Sequence, residues 1–167
     1  RSCAGHPAVL GYAVGNEIPA PIVRWHGARA IERFIERLVE VAREEDPAAL
    51  GTYVNYPTTE YLTLPSLDLA CFNVYLHNPQ PFRNYLARLQ MIADTRPLVL
   101  GEFGIDSLRE GEERKCEILG WSIEGAFRAG LAGAVVFSYT DDWWRGGVQV
   151  ADIQPGHWLR CWAVKRL

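Results

Sequence analysis

Pro97-Leu98-Val99-Leu100-Gly101-Glu102-Phe103-Gly104 sets an apolar run directly against a glycine and a carboxylate. A short run without polar alternation reads as a strand buried on both faces, the kind found in parallel sheets covered by helices. The same arrangement occurs upstream, where Val9-Leu10-Gly11-Tyr12-Ala13-Val14 leads into Gly15-Asn16-Glu17. Between and beyond these two runs, strand and helix patterns alternate. Residues 51–56 and 67–75 are further strands, and 131–139 closes the series with Ala134-Val135-Val136-Phe137.

The intervening segments carry helical periodicity. In 21–45 the apolar residues Ala28, Ile31, Ile35, Leu38 and Ala42 recur at steps of three and four, and Asp46-Pro47 stops the helix. A second helix opens near Pro81 and turns Phe82, Leu86, Leu89 and Ile92 inward. A third spans 110–129 with Cys116, Leu119, Ile123 and Phe127 on its inner face, and Gly130 ends it. Five strands separated by amphipathic helices indicate an α/β fold with a parallel sheet. Two topologies fit: a doubly wound sheet, or part of an eight-stranded (β/α)8 TIM barrel.

Composition narrows the function classes. The 167 residues carry a formal charge of −3, with 17 basic residues against 20 acidic, and no basic stripe suited to nucleic acid. Fifteen of the basic residues are arginine, which reads as base-composition bias of the genome. No apolar run approaches the roughly 20 residues that span a bilayer. Arg1-Ser2-Cys3-Ala4-Gly5 lacks the features of a signal peptide, but the sequence does not begin with Met, so that absence leaves the compartment open, with a cytoplasmic location only the default. Cys3, Cys71, Cys116 and Cys161 are widely spaced and read as reduced structural cysteines. With His6, His26, His77 and His157 they form none of the usual zinc spacings, so no metal and no cofactor is expected. Neither a glycine-rich phosphate loop nor a serine nucleophile elbow is present.

Among the acidic residues, Glu32, Glu36, Glu40, Glu44, Glu112, Glu113 and Glu117 sit among arginines on helices and are solvated faces. Glu17 and Glu102 differ because each directly follows an apolar strand, at the edge where parallel α/β folds build their sites. They lie 85 positions apart, about 28 per βα unit over three units, against an average of about 31 in an eight-unit barrel of roughly 250 residues. That spacing places Glu102 three strands after Glu17, across a barrel mouth.

Four motifs in this order resemble a known family. Gly15-Asn16-Glu17, Asn73-x-Tyr75, Gly101-Glu102-Phe103-Gly104 and Phe137-Ser138-Tyr139-x-Asp141-Asp142-Trp143 together resemble the catalytic barrel of family 2 glycoside hydrolases. These are relatives of β-galactosidase, β-mannosidase and β-glucuronidase, in the retaining clan with glutamates on strands 4 and 7. The resemblance implies that Glu17 is the general acid/base and Glu102 the nucleophile. It implies that Asn16 hydrogen-bonds the sugar 2-hydroxyl, that Tyr75 hydrogen-bonds the nucleophile, and that Trp143, or its neighbour Trp144, floors the sugar subsite. His77, just past the Tyr75 strand, is a candidate for a sugar hydroxyl or for holding a loop. Tyr53, Asn55 and Tyr56 end the preceding strand and offer one candidate cleft residue. Asp141 and Asp142 either bind substrate or, the favoured reading, cap a loop; Trp25 and His26 read as packing residues, and Glu60 and Asp68 as structural.

The chemistry explains these residue types. Retaining hydrolysis needs two carboxyl groups about 5–5.5 Å apart, one ionised for attack and one protonated for the leaving oxygen. A neutral phenol beside the nucleophile donates to it, and indole rings stack on the apolar face of a pyranose.

The resemblance covers about residues 6–147 and implies strands 4 to 8 only, the C-terminal part of a TIM barrel within a larger protein. The chain is read as one partial barrel domain, family-like over 6–150, with a divergent tail at 151–167 that departs from the family pattern after Asp152. The expected partner is a carbohydrate substrate. A runner-up reading places the barrel in a protein fused to a family 2 glycosyltransferase domain, because Phe72-Asn73-Val74-Tyr75-Leu76-His77 and Asp141-Asp142-Trp143-Trp144-Arg145-Gly146-Gly147 resemble that subgroup. There the barrel trims, transfers or binds nascent glycan. A third reading, a carbohydrate-binding scaffold without catalysis, is disfavoured by the two intact glutamates.

Overall fold

The computed structural model describes residues 3–138 and contains five strands, β1 (Gly11–Asn16), β2 (Leu50–Asn55), β3 (Ala70–Asn73), β4 (Leu98–Phe103) and β5 (Gly133–Val136). They pair in the order β1-β2-β3-β4-β5, and every pair is parallel. A doubly wound sheet reverses direction at a switch point and so places its first strand inside the sheet. Here chain order and strand order coincide, the pattern of a barrel wall. The fold is α/β, a partial TIM barrel.

Right-handed crossovers in an unreversed order put the helices on one face of the sheet. These are α1 (Ala20–His26), α2 (Ala28–Glu45), α3 (Pro79–Ala93), a single turn α4 (Ser107–Glu110) and α5 (Glu112–Arg128). Two cores result. One joins Phe72, Val74, Leu98, Leu100 and Phe103 of the sheet and its extensions to Phe82, Leu86 and Leu89 of α3. The other packs Val23, Ile31, Ile35 and Val39 against Tyr53, Leu62, Leu64 and Leu67. Each fully buried aliphatic or phenyl side chain contributes about 1.5–3 kcal/mol. On the described helices there is no stretch long and apolar enough to cross a membrane.

Three expectations about the helices need correction. The periodic segment 21–45 is two helices, because Gly27 adopts φ 85° and ends α1 with its N–H on the Val23 carbonyl at 2.8 Å. On α2 the buried stripe runs Ile31, Glu32, Ile35 and Val39, with Leu38 at its margin. On α5 the buried residues are Lys115, Ile118, Ser122, Gly125 and Ala126. Ile123 and Phe127, expected inward, are 43% and 86% exposed. The face is rotated because α5 is clamped against α3: Gly125 meets the Phe82 ring where a Cβ would lie 3.3 Å away, and Trp121 stacks edge-on against Phe82 at 5.4 Å. Close approach at a glycine outweighs the apolar period. Trp25, read as a packing residue, is also exposed, as are Leu10 beside β1 and Val135 on β5.

Ile118→Ala should therefore lower unfolding free energy by about 2–5 kcal/mol. Phe127→Ala should change it by less than about 0.5 kcal/mol. Urea titration of the two variants separates the observed helix face from the one that periodicity suggests.

Candidate active site

The carboxyl ends of β1, β3 and β4 carry the predicted residues, and each of these ends departs from regular pairing. Register shifts fall between Ala13 and Asn16, between Phe72 and Asn73, and between Leu100 and Phe103. Such bulges re-aim side chains at the rim of a sheet. Glu17 follows β1 at φ 47°, a left-handed conformation that costs a non-glycine residue about 1–3 kcal/mol. Its N–H still donates to the Val54 carbonyl at 2.9 Å, so the ladder holds the strained residue in place.

Neighbouring groups bracket the segment after Glu17. The Ile18 N–H donates to the Tyr53 hydroxyl at 2.8 Å and the Ala20 N–H to the Tyr56 hydroxyl at 3.2 Å. Burial, above all, holds the Tyr53 phenol above its ordinary range. Asn55 turns away from this edge: it accepts from the Thr59 hydroxyl at 2.6 Å and donates to the Thr59 carbonyl at 3.1 Å. Tyr53 and Tyr56 thus serve the loop that carries Glu17, and Asn55 serves the turn after β2.

Across the edge, the Tyr75 hydroxyl donates to Glu102 Oε2 at 2.6 Å. A separation this short is typical of hydroxyl-to-carboxylate hydrogen bonds. Asn73 stands opposite Glu102 in the β3–β4 register, and the Val74 N–H donates to the Glu102 carbonyl at 2.8 Å. The Asn73 Nδ2 donates to Glu17 Oε1 at 2.8 Å and to Asn16 Oδ1 at 3.2 Å. One asparagine on β3 thus contacts the residue pair that ends β1 while sitting beside the backbone of Glu102.

The glycine before Glu102 follows from this crowding. A Cβ on Gly101 would lie 2.8 Å from Asn73 Oδ1, 2.9 Å from Cys71 Sγ and 3.0 Å from Val54 Cγ1. His77 takes the loop-holding role: its Nε2 lies 3.1 Å from the Gly104 carbonyl, which can only accept, so Nε2 bears the proton and ties the loop after β3 to the loop after β4. Trp143 and Trp144, with Asp141, Asp142 and the tail, lie outside the described residues. Asn73 appeared in the sequence only as part of a motif. Its role was hidden because a buried asparagine on a strand leaves no periodic trace, and only the pairing of β3 between its neighbours reveals which side chains it reaches.

Glu60 and Asp68 are structural, as expected. Glu60 pairs with Arg88 and accepts from the Tyr85 hydroxyl at 2.8 Å, and Asp68 accepts from the Gly51 N–H at 2.7 Å and from Arg43 at 2.9 Å. Among the described residues no cluster of three or more His, Cys, Asp or Glu is placed to hold a metal ion. Cys71 is a free, buried thiol and Cys3 is exposed, whereas Cys116 is disulfide-bonded and corrects the expectation of a reduced side chain there.

Cys71 lies behind this edge, and burial, with the nearby Glu102 charge second, pushes its thiol up to about 11. The folded state keeps that thiol protonated beyond the ordinary value of 9.0. Its contribution to stability is therefore full below about pH 9 and is lost as pH rises toward 11. At pH 8 a thiol alkylating reagent should modify exposed Cys3 and spare Cys71 until denaturant is added, as mass spectrometry of the peptides will show.

No family model matches the chain, and no curated protein matches it in sequence. Solved structures do match in fold. A Bacteroides uniformis β-glucuronidase, covalently bound to a cyclophellitol-6-carboxylate aziridine, aligns at 18% identity and TM-score 0.64 over 76% of this chain and 19% of its own. A Ruminococcus gnavus β-glucuronidase in complex with D-glucuronic acid aligns at 18% identity and TM-score 0.65, over 81% and 27%. An endo-1,4-β-D-mannanase from Thermotoga petrophila aligns at 14% identity and TM-score 0.57, over 72% and 43%. The chain spans about a fifth to a quarter of the length of the two β-glucuronidases. At these identities the likeness is one of fold alone, that of part of a TIM barrel.

Proposed function

We propose that this chain forms the site-bearing part of a retaining β-glycosidase barrel, with Glu102 as nucleophile and Glu17 as general acid/base. The observation that carries the reading is the pair of strand-end glutamates on one sheet edge, each held by its own donor: Tyr75 on Glu102 and Asn73 on Glu17. Glycosidases among the structural neighbours support it, as do the four motifs of the family 2 resemblance.

In this reading Glu102 attacks the anomeric carbon while Glu17 gives its proton to the departing glycosidic oxygen. The sugar–oxygen bond breaks and a glycosyl ester to Glu102 forms. Glu17, now a carboxylate, takes a proton from water, which attacks the same carbon and releases the sugar and Glu102. The Tyr75 hydroxyl keeps Glu102 aimed while it is ionised. Asn16 donates to the sugar 2-hydroxyl, and Trp143 or Trp144 provides the stacking floor. The substrate is a β-linked glycoside or polysaccharide, and the reaction needs no cofactor.

The coding sequence on either side tests the larger context. First to third barrel strands encoded upstream support a complete barrel, and a transferase domain in the same frame supports the fused glycosyltransferase arrangement, which the Phe72–His77 motif favours.

In the longest form the gene encodes, the protein should release the phenol from activated aryl β-glycosides. Glu102→Gln should lower kcat/KM by on the order of 10³-fold or more. Tyr75→Phe removes one hydrogen bond to a charged group, worth about 1.5–3 kcal/mol, and should lower kcat roughly 10- to 100-fold. Equal turnover by wild type and Glu102→Gln, or none by either across a panel of aryl β-glycosides, overturns the reading.

A further inference from the structure

Asn73 is 1% exposed, on a strand whose four residues are all buried. A side-chain amide offers two N–H donors and one carbonyl acceptor. Both donors of Asn73 are committed, one to Glu17 Oε1 at 2.8 Å and one to Asn16 Oδ1 at 3.2 Å. Its carbonyl is buried against Gly101 and has no hydrogen-bond partner. An unpaired buried acceptor is destabilising, because the water it gave up is not replaced. Turning the amide over would not remedy this, because the carbonyl would then face two acceptor oxygens, one of them on a carboxylate. The orientation is dictated by Glu17 and Asn16, and the fold carries the cost.

We propose that Asn73 is a positioning residue that assigns the hydrogen-bonding roles of both side chains at the end of β1. An NH2 group only donates, so Glu17 Oε1 is held as an acceptor, and the proton that Glu17 delivers resides on Oε2. The same NH2 engages Asn16 through Oδ1, which turns the Asn16 amide so that its own NH2 is the outward group. Asn16 is exposed at this edge and therefore presents a donor rather than an acceptor to a ligand hydroxyl. One buried amide thus fixes which oxygen of the acid is protonated and which end of the neighbouring amide meets the substrate. Gly101 belongs to the same device, since a Cβ there would lie 2.8 Å from Asn73 Oδ1 and displace it. The catalytic consequence rests on the glycosidase reading above; the positioning itself does not.

Two measurements on the longest form the gene encodes keep these apart. Crystal structures of wild type, Asn73→Ala and Asn73→Asp test the positioning without reference to activity. In Asn73→Ala the Asn16 amide and the Glu17 carboxylate should leave their single arrangement. In Asn73→Asp, which keeps the shape but offers no N–H, the Asn16 amide should reverse and Glu17 should move away. If Asn16 and Glu17 hold their places in whichever variant folds, the proposal is wrong. The second measurement is kinetic, comparing an aryl β-glycoside with a poor leaving group, which needs the proton, and one with a dinitrophenolate leaving group, which does not. Misplacing the acid should lower the poor-to-good ratio of kcat/KM by about tenfold, within the range that general acid catalysis supplies. A purely structural role would lower both rates together and leave the ratio unchanged, and that result also overturns the proposal. Absence of turnover in wild type sinks the glycosidase reading, while the crystal structures still decide the role of Asn73.

Discussion

Parallel pairing in unbroken chain order is the constraint on which the rest of the molecule depends. Because each strand hydrogen-bonds to the next in the same direction, every strand ends on the same edge, and residues far apart in sequence are brought into one row there. Glu17, Asn73, Tyr75 and Glu102 meet for that reason alone. The helices between them set the spacing but supply none of these four side chains.

The edge is built by departures from regularity laid over that regular frame. Three register shifts fall at the ends of the strands, the non-glycine residue Glu17 sits at positive φ, and the buried Asn73 carbonyl is unpaired. Each is unfavourable locally and each is tolerated because the surrounding ladder and the two apolar cores over-determine the backbone. Strain and unpaired groups cluster where side chains must be aimed rather than packed. The contrast with Glu60 and Asp68 is informative: each of those carboxylates pairs with an arginine, beside the Tyr85 hydroxyl on Glu60 and the Gly51 N–H on Asp68, and these contacts hold pieces of the fold together.

Much of the fold was legible in the residues. Apolar runs without alternation at Val9–Val14 and Pro97–Leu100 marked strands, and periods of three and four marked α2 and α3, because burial geometry writes itself directly into residue order. Phase was less legible than type. On α5 the predicted face was rotated, since Gly125 allows Phe82 to approach and sets the helix by close contact rather than by its apolar stripe. Glu17 and Glu102 were legible as carboxylates just past apolar strands, and the Tyr75–Glu102 contact was one that the family resemblance implied. Tyr53 and Tyr56 were ambiguous, because a tyrosine at a strand end looks the same whether its hydroxyl meets a ligand or, as here, a backbone N–H.

By itself the sequence determined the α/β class, the position of most elements and the placing of Glu17 and Glu102 at strand ends. Those follow from local properties: hydrophobic period, turn chemistry and the residue just past a strand. Only the tertiary structure decided that the strands run in order without reversal, and that Asn73 is the side chain joining Asn16 and Glu17. Strand order and cross-strand reach depend on which segments become neighbours, and pairing between segments separated by dozens of residues leaves no mark within either segment.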